Sequence, residues 1–578
     1  MKNLRVKESF DKVGSFHRTA FSEKNNFLRF IYDLGKTGLC RLFRFPGEKN
    51  LSVWWFSLVA EKAPLKSDAY AKLISEIIGF KNEEHSTNKT FRDPGLLQFI
   101  SGFKTIVFLV LKSVYAKLFI RNFCSRLKKF KNMDYTIISY FPLLNKDRAQ
   151  EGYFENKYIS PFHRVLEKKR RGKYSHVCLP VDVDGFNFRD AVKLAGKFSQ
   201  TQSVFLLEEF FKLRHFPLII FYYVYFAAIF ALNIGRIKKS VLYTYHGGKH
   251  SVWHIFKNDF YKSFCGPTLA SSLWYVFVFK ELTSRLRKKS KVICICEMQW
   301  WERALYFFTK KNGLISIGYQ HTIVPELLLN YFNDTGEIKE EMAAVESCPL
   351  PDYIATVGEI PAKLFRKYGW PVNRVIQWGA QRFDQLKDRS SSDVVPWNEK
   401  ENYFVCAFSI SPVDAENILF FLEKAFGNID INASYRIYLK SHPALDLQSL
   451  IYDLNIHLNP MIFRVTETPL DVLMLHAKGL IVTESSASFD ALINGSPVIV
   501  PRFRGMLDCN PLSYITDLPV YADSPEELLH MCNQIVCLKE SPVDGKKVRH
   551  FLHEYLYFPA NDDVYLDTID TLAGIKHR

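Results

Sequence analysis

The chain has 578 residues, 48% of them hydrophobic and 15% aromatic, which is more than a single core can use and far too apolar for a disordered chain. Its 76 Lys and Arg stand against 60 Asp and Glu, a net +16 that implies anionic partners without choosing among lipid headgroups, nucleotide phosphates and nucleic acid. The eleven cysteines include no Cys-x-x-Cys pair, which leaves a redox or zinc motif without support and implies a reducing compartment.

The first thirty residues are polar and charged and lack the apolar core of a cleavable secretory signal, so the expected location is the cytosol. Residues 1–130 read as a helical, basic region ending in Lys128-Lys129-Phe130-Lys131. Within it Gly35-Lys36-Thr37 has the ending of a phosphate-binding P-loop, but Phe30 stands where the first glycine is required. Thr105–Ile120 is apolar, interrupted by Lys112 and Lys117, and suits an amphipathic helix on anionic lipid.

Residues 131–386 read as a first Rossmann-like domain, with strands expected at Tyr135–Tyr140, His176–Leu179, Val241–Tyr245, Val292–Cys296, Leu314–Gly318 and Val375–Trp378. Phe216–Ile234 inside it is uncharged and aromatic-rich, flanked by basic residues, and barely as long as the roughly 20 residues a membrane span needs. A span here would split one domain across the bilayer, so a buried or interfacial element is expected. Two further runs, Lys168-Lys169-Arg170-Arg171 and Arg287-Lys288-Lys289, add positive charge. Asp182-Val183-Asp184 after the second strand has the form of a metal-binding Asp-x-Asp, and His246-Gly247-Gly248 that of an oxyanion loop without the nucleophile elbow it would serve. No metal site and no cofactor are expected.

The segment from Leu386 to Asn402 reads as a linker, and residues 402–578 as a second Rossmann-like domain. Its expected strands are Tyr403–Phe408, Tyr435–Leu439, Met461–Val465, Leu480–Thr483 and Pro497–Val500, alternating with helical stretches such as Ala415–Ala425 and Leu470–Ala477. Such alternation means parallel strands with crossover helices. The fold class is therefore α/β, two Rossmann-like domains facing a cleft, with a helical basic N-terminal region.

In open parallel sheets, ligands sit beyond the carboxyl ends of the strands. Four places qualify. Lys440-Ser441-His442-Pro443 follows a strand with a cation, an imidazole and a stiffening proline, suited to phosphate oxygens. Glu484-Ser485-Ser486-Ala487-Ser488 sits between a strand and a helix, where hydroxyls and free N–H groups favour an anion, although a single serine there is explained by helix capping. Gly318-Tyr319-Gln320-His321 and Glu297-Met298-Gln299-Trp300-Trp301-Glu302 put a carboxylate, an imidazole and amides at the edge of the first sheet, as acid–base or positioning groups.

The segments Asp259-Phe-Tyr-Lys-Ser263, Gly266, Cys296-Glu297-Met-Gln-Trp-Trp-Glu302-Arg-Ala-Leu305, Gly318-Tyr-Gln-His-Thr-Ile323 and Asn330-Tyr-Phe-Asn-Asp334 resemble a bacterial surface-carbohydrate biosynthesis protein family. The pair His442-Pro443 and Ser485-Ser486 is similar to the His-Pro and Ser-Ser motifs of CMP-sugar-dependent sialyl- and Kdo transferases of the two-domain GT-B fold. The resemblance runs from about Tyr135 to the C-terminus. It implies that Lys440, His442, Pro443, Ser485, Ser486 and Ser488 hold a CMP-linked donor. Such sialyltransferases take their base from an acidic pair followed by glycine, for which Val183-Asp184-Gly185 is an imperfect counterpart. Glu297 and Asp259 are therefore the preferred catalytic carboxylates, with His321 beside them, Asp184 in reserve, and Gln320 and Gln299 on the acceptor side.

The function expected is a metal-independent transfer of a sugar, Kdo or a nonulosonic acid, from a nucleotide-sugar donor to a surface-polysaccharide or lipid-linked acceptor. The enzyme would sit peripherally on the anionic inner face of the cytoplasmic membrane. A nucleotide-sugar epimerase of the same fold and a non-catalytic carbohydrate or membrane scaffold are the alternatives. Nucleic acid is not an expected partner, because the basic residues form no recognition module.

Overall fold

The computed structural model describes residues 2–79, 94–120, 123–182, 186–338, 344–387, 394–427 and 435–572. Two parallel sheets organise the chain. The first has seven strands: β1 (Tyr135–Phe141), β2 (Tyr174–Pro180), β3 (Val204–Leu206), β6 (Lys291–Ile295), β7 (Ile315–Tyr319), β8 (Tyr353–Thr356) and β9 (Val375–Gln377). The second has six: β10 (Glu401–Ala407), β11 (Arg436–Lys440), β12 (Phe463–Val465), β13 (Ala477–Ile481), β14 (Val498–Pro501) and β15 (Pro519–Ala522). Their orders are β3-β2-β1-β6-β7-β8-β9 and β12-β11-β10-β13-β14-β15. Counting only strands within each sheet, both read 3-2-1-4-5-6, the doubly wound order, and the first extends it by one strand.

The pattern of burial explains why the strand runs show no period of two. In the first sheet Ile138, Val177, Val292, Cys294 and Ile354 face one apolar cluster, while Ile137, Ile293, Ile295, Ile317 and Ala355 face another. Strands covered on both faces have no polar side. The first cluster also takes in Phe16, Phe43, Trp54 and Trp55, so the N-terminal helical region is a layer on this sheet. The second cluster continues into Val405, Leu480, Val482 and Val498, so both sheets share one core.

One segment departs from the sequence expectation. Val241–Tyr245 is not in either large sheet: β4 (Leu242–Tyr245) pairs antiparallel with β5 (Gly248–Ser251) as a hairpin. His246 (φ 48°) and Gly247 (φ 73°) form its two-residue turn, both left-handed as a type I′ turn demands. The His-Gly-Gly sequence is thus explained by turn geometry.

Among the described residues, two helices are long and apolar enough to cross a membrane, one within Gly95–Phe119 and one within Leu213–Ser240. The helix Phe216–Ser240 buries Ile219, Tyr223, Phe226 and Phe230, and exposes Leu218, Phe221, Val224 and Leu232 on its other face. It is joined to the helix Pro94–Phe119 by the Tyr223 hydroxyl, which donates to the Phe99 carbonyl at 2.7 Å. Both helices belong to the layer on the first sheet.

The chain's last described helix, Asp563–Thr571, crosses back to the first sheet. Trp378 donates its indole N–H to the Tyr565 carbonyl at 2.9 Å, and Arg164, Arg170 and Lys291 pair with Asp562 and Asp570. In the opposite direction the N-terminal helix Lys2–Leu34 reaches the second sheet's loops: Phe21 stacks on Tyr514 with ring centres 4.2 Å apart. Farther along the same helix, Lys24 pairs with Glu326 of the first unit at 3.0 Å.

Candidate active site

The strand order reverses between β1 and β6 in the first sheet and between β10 and β13 in the second. Each reversal opens a crevice at the strands' carboxyl ends. The loops leaving these ends are opposed: the Val324 N–H beyond β7 donates to the Tyr555 hydroxyl at 3.0 Å, and Tyr555 packs on Phe489 in the helix beyond β13.

Glu297 lies at the first reversal, two residues beyond β6, with 32% of its side chain accessible. Three groups surround its carboxylate. The Tyr140 hydroxyl from β1 donates at 3.2 Å, the Gln299 amide at 2.5 Å, and His321 Nε2 lies 3.8 Å from the other oxygen. Burial, opposed by those hydrogen bonds, raises Glu297 above the ordinary carboxylate range. The local chain explains the presentation. Glu302 accepts from the N–H groups of Glu297 and Gln299 at 2.9 and 3.2 Å, capping the helix Trp300–Lys311. Met298 between them sits at φ 54°, an unfavourable conformation for a residue with a side chain, and turns the carboxylate out of the strand line. Asn330 fixes the turn by donating to the Glu297 carbonyl at 2.7 Å.

His321 is buried, stacks on Tyr158 with centres 4.7 Å apart, and has Arg382 on that tyrosine's ring. Burial first, and Arg382 second, hold its imidazole well below its ordinary value, so it is neutral near pH 7. Its Nδ1 has no hydrogen-bond partner among the described residues. Gln320 is fully buried and its amide oxygen accepts from Val357 N–H at 3.1 Å, while its NH₂ bonds the Thr322 carbonyl. That amide clips two strand ends together. Gln299 also accepts from Lys66 at 3.1 Å, and Lys66 pairs with Glu61 at 2.7 Å. Asp259 is on the helix Trp253–Cys265, away from any strand end, and accepts from Ser67 at 2.5 Å. Burial pushes it up to about 6. The two carboxylates are thus linked through the adjacent residues Lys66 and Ser67. Asp184 lies outside the described residues.

At the second reversal, strand order sets the Lys440–Pro443 turn, after β11, and the Glu484–Ser488 turn, after β13, on either side of β10. Two interstrand steps separate them, roughly 9–10 Å. Lys440 donates to the Glu467 carbonyl at 3.1 Å and His442 Nδ1 accepts from Ala444 N–H at 3.1 Å, with Pro443 exposed. Ser485 accepts from Ala487 N–H at 3.2 Å and Ser486 is half-buried at the start of the helix Ala487–Ile493. Ser488 is fully buried and bonds Asn510 at 3.4 Å.

Between these turns lies a group that sequence patterning did not single out. Asp414 is fully buried and accepts from Ser409 at 2.7 Å and Thr483 at 2.6 Å through one oxygen. Its other oxygen, the Oδ2 of Asp508 and both ring nitrogens of His17 have no hydrogen-bond partner among the described residues. All three residues line one cavity with Thr483, Glu484 and Arg502. Burial and the Asp414 charge push Glu484 up to about 8, burial pushes Asp508 up to about 6, and burial lowers His17 to about 4. The gap is about 20 Å³, room for roughly one water-sized group, so it suits a single hydroxyl of a larger ligand. Buried polar atoms without partners are costly, which makes their convergence at a sheet reversal a mark of a ligand site.

No family model matches the sequence, and no curated protein matches it. Among solved structures, the UDP-GlcNAc 2-epimerase of Methanocaldococcus jannaschii with UDP-GlcNAc and UDP is similar at 11% identity and TM-score 0.38, over 72% of this chain and 98% of that one. HepE of Anabaena in complex with UDP is similar at 9% identity and TM-score 0.37, over 76% and 100%. The wall teichoic acid polymerase TagF is similar at 12% identity and TM-score 0.34, over 83% and 97%. Likeness at this level transfers no activity to this chain, and the fold stated above rests on the strand order.

Proposed function

We propose that this protein is a glycosyltransferase, moving a sugar from a nucleotide-sugar donor at the edge of the second sheet to an acceptor activated by Glu297 at the edge of the first. The observation that carries the reading is the duplication: two doubly wound sheets with opposed carboxyl edges, a solvent-reached carboxylate at one reversal and unpartnered buried polar atoms at the other.

In the reaction, the acceptor hydroxyl attacks the donor's anomeric carbon, the bond from that carbon to phosphate breaks, and the hydroxyl proton passes to Glu297. A carboxylate raised by burial is a better base than a free one. Tyr140 and Gln299 hold it in place, and the neutral His321 leaves its charge intact. The leaving nucleotide carries the electron pair as phosphate charge, met by Lys440, His442 and the hydroxyls of Ser485 and Ser486. The cavity of Asp414 takes a donor hydroxyl. Closure of the opposed loops would exclude water and favour transfer over hydrolysis.

The donor proposed is CMP-linked, on the resemblance of the His-Pro and Ser-Ser pairs, and the acceptor is a surface glycan or its lipid-linked precursor. Seating on the inner face of the cytoplasmic membrane is part of the reading, supported by the exposed apolar faces of the helices Pro94–Phe119 and Phe216–Ser240. Thermal unfolding with CMP, CDP, UDP and GDP tests the donor site. A nucleotide at a hundred times its Kd stabilises the native state by about 2.7 kcal/mol, and CMP should give the largest rise in Tm. A flat response to all four at millimolar concentration would remove the donor site. Isomerisation of a nucleotide sugar in the absence of any acceptor would replace transfer by epimerisation.

A further inference from the structure

The helix Pro94–Phe119, whose exposed face was assigned above to the bilayer, has a second feature at its C-terminal half. Phe108, Leu111 and Tyr115 form one wall of a groove of about 600 Å³ whose other wall is Phe188, at the start of the helix Phe188–Phe198. That volume is in the range of small-molecule sites. Lys112 projects into it, its ammonium 4.7 Å from the Phe108 ring centre and 4.9 Å from that of Phe188. Arg189 and Asp182 also line it, so among the described residues its charged groups sum to +1.

Two placements give the groove a direction. Outward, Phe103, Ile100 and Leu96 continue its exposed apolar wall along the same helix, a track of about 20 Å from Leu111 at 1.5 Å per residue. This track runs beside the helix Phe216–Ser240, itself apolar on its free face. Inward, Asp182 lies just beyond the carboxyl end of β2, and β2 is separated from β6, the strand of Glu297, by β1 alone. Two interstrand steps are roughly 9–10 Å. An apolar track therefore leads from the proposed bilayer face to a cationic groove on the same sheet edge as the proposed base.

We infer that this groove binds the acceptor as an amphiphile, its hydrocarbon chain against Phe108, Leu111, Tyr115 and Phe188 and its anionic phosphate head against Lys112 and Arg189. This deepens the proposed function by assigning the acceptor class, a lipid-linked saccharide, and it rests on that reading for the direction of transfer. The aromatic rings do two things at once: they supply apolar wall and they hold the Lys112 ammonium between their faces. A soluble glycan would use neither the wall nor the track.

The test uses the full-length protein and dodecyl phosphate as probe, kept below its micellar concentration and followed by calorimetry. Wild type should bind one probe per chain. Leu111→Gln, at a position 60% exposed and therefore harmless to folding, should weaken binding by about tenfold, as should Phe188→Ala. Lys112→Gln should weaken it by about three- to tenfold. Excess inorganic phosphate should displace little of the probe. Equal binding by wild type and all three variants overturns the inference, and so does full displacement by inorganic phosphate, which would mean a phosphate site with no role for the chain. Binding of the probe is independent of the nucleotide, so a chain that takes the amphiphile but no nucleotide keeps this site and loses the transferase reading.

Discussion

The two sheets repeat one topology but finish their reversals differently. At the first, Glu297 is held by Tyr140 and Gln299, and its loop is tied down by Glu302 and Asn330, so a solvent-reached carboxylate is fixed in place, although the Nδ1 of His321 and the Oδ1 of Asn330 beside it have no hydrogen-bond partner among the described residues. At the second, Asp414, Asp508 and His17 have oxygens and nitrogens in a buried space with no hydrogen-bond partner among the described residues. The first edge presents a carboxylate that solvent reaches, suited to act on something that comes and goes. The second is arranged to be completed by something that binds. A doubly wound sheet fixes where a site lies and leaves its chemistry to the loops.

The sharpest way to break this contrast is Glu297→Gln, which keeps the amide contacts and removes the basicity. Transfer should fall by roughly 10²–10⁴-fold, while nucleotide affinity stays within error and Tm does not fall, because burial already disfavours the charge that the substitution removes. Unchanged turnover would rule out Glu297 as the base. At the other edge, His442→Ala and Ser486→Ala should leave folding intact and each weaken nucleotide binding by about 1–3 kcal/mol, read by calorimetry. If both variants bind as wild type does, the two turns flanking β10 do not share a phosphate.

The smallest effect is on stability. Glu484 is pushed up to about 8 in the folded chain, so above the ordinary carboxylate value the native state retains a proton that the unfolded chain has released. Its contribution therefore weakens as pH rises toward 8. Glu484→Gln should be more stable than wild type near pH 8, by on the order of 1 kcal/mol, with the gap closing toward pH 4–5. Denaturant titrations across that range measure it. His17, lowered to about 4, adds a slope of the opposite sign below 6.5, present in both proteins and absent from their difference. A gap that does not narrow on acidification would mean that Glu484 is ionised in the native state.

Much of the architecture was legible because strands buried on both faces are written as unbroken apolar runs. β1, β6, β10 and β13 are found that way, and so were the polar residues immediately after them. Not all that escaped has an identifiable cause. β3, β8 and β15 went unread, and shortness alone does not explain it, because β9 and β12 have three residues and β14 four and were all read. Val241–Tyr245 has the composition of a strand but closes on itself through the left-handed His246-Gly247 turn. Asp414 reads locally as an ordinary acid in the first turn of a helix capped by Ser411. Its importance comes from Thr483, which is distant in the chain and adjacent only once β10 and β13 pair. His17 and Tyr158 likewise reach their partners through tertiary packing alone.

The return of the C-terminal helix fastens the end of the described chain to the first sheet, after the chain has built the second. Its inner anchor, Trp378 on the Tyr565 carbonyl, is dry, whereas its outer anchors, Arg164 with Asp562, Lys169 with Asp563 and Arg170 with Asp570, are solvent-facing ion pairs. Exposed pairs of this kind are individually weak and screened by salt over about 8–10 Å. The fastening therefore joins a dry inner contact to a salt-sensitive rim: added salt weakens the outer pairs while Trp378 keeps the helix on the first sheet.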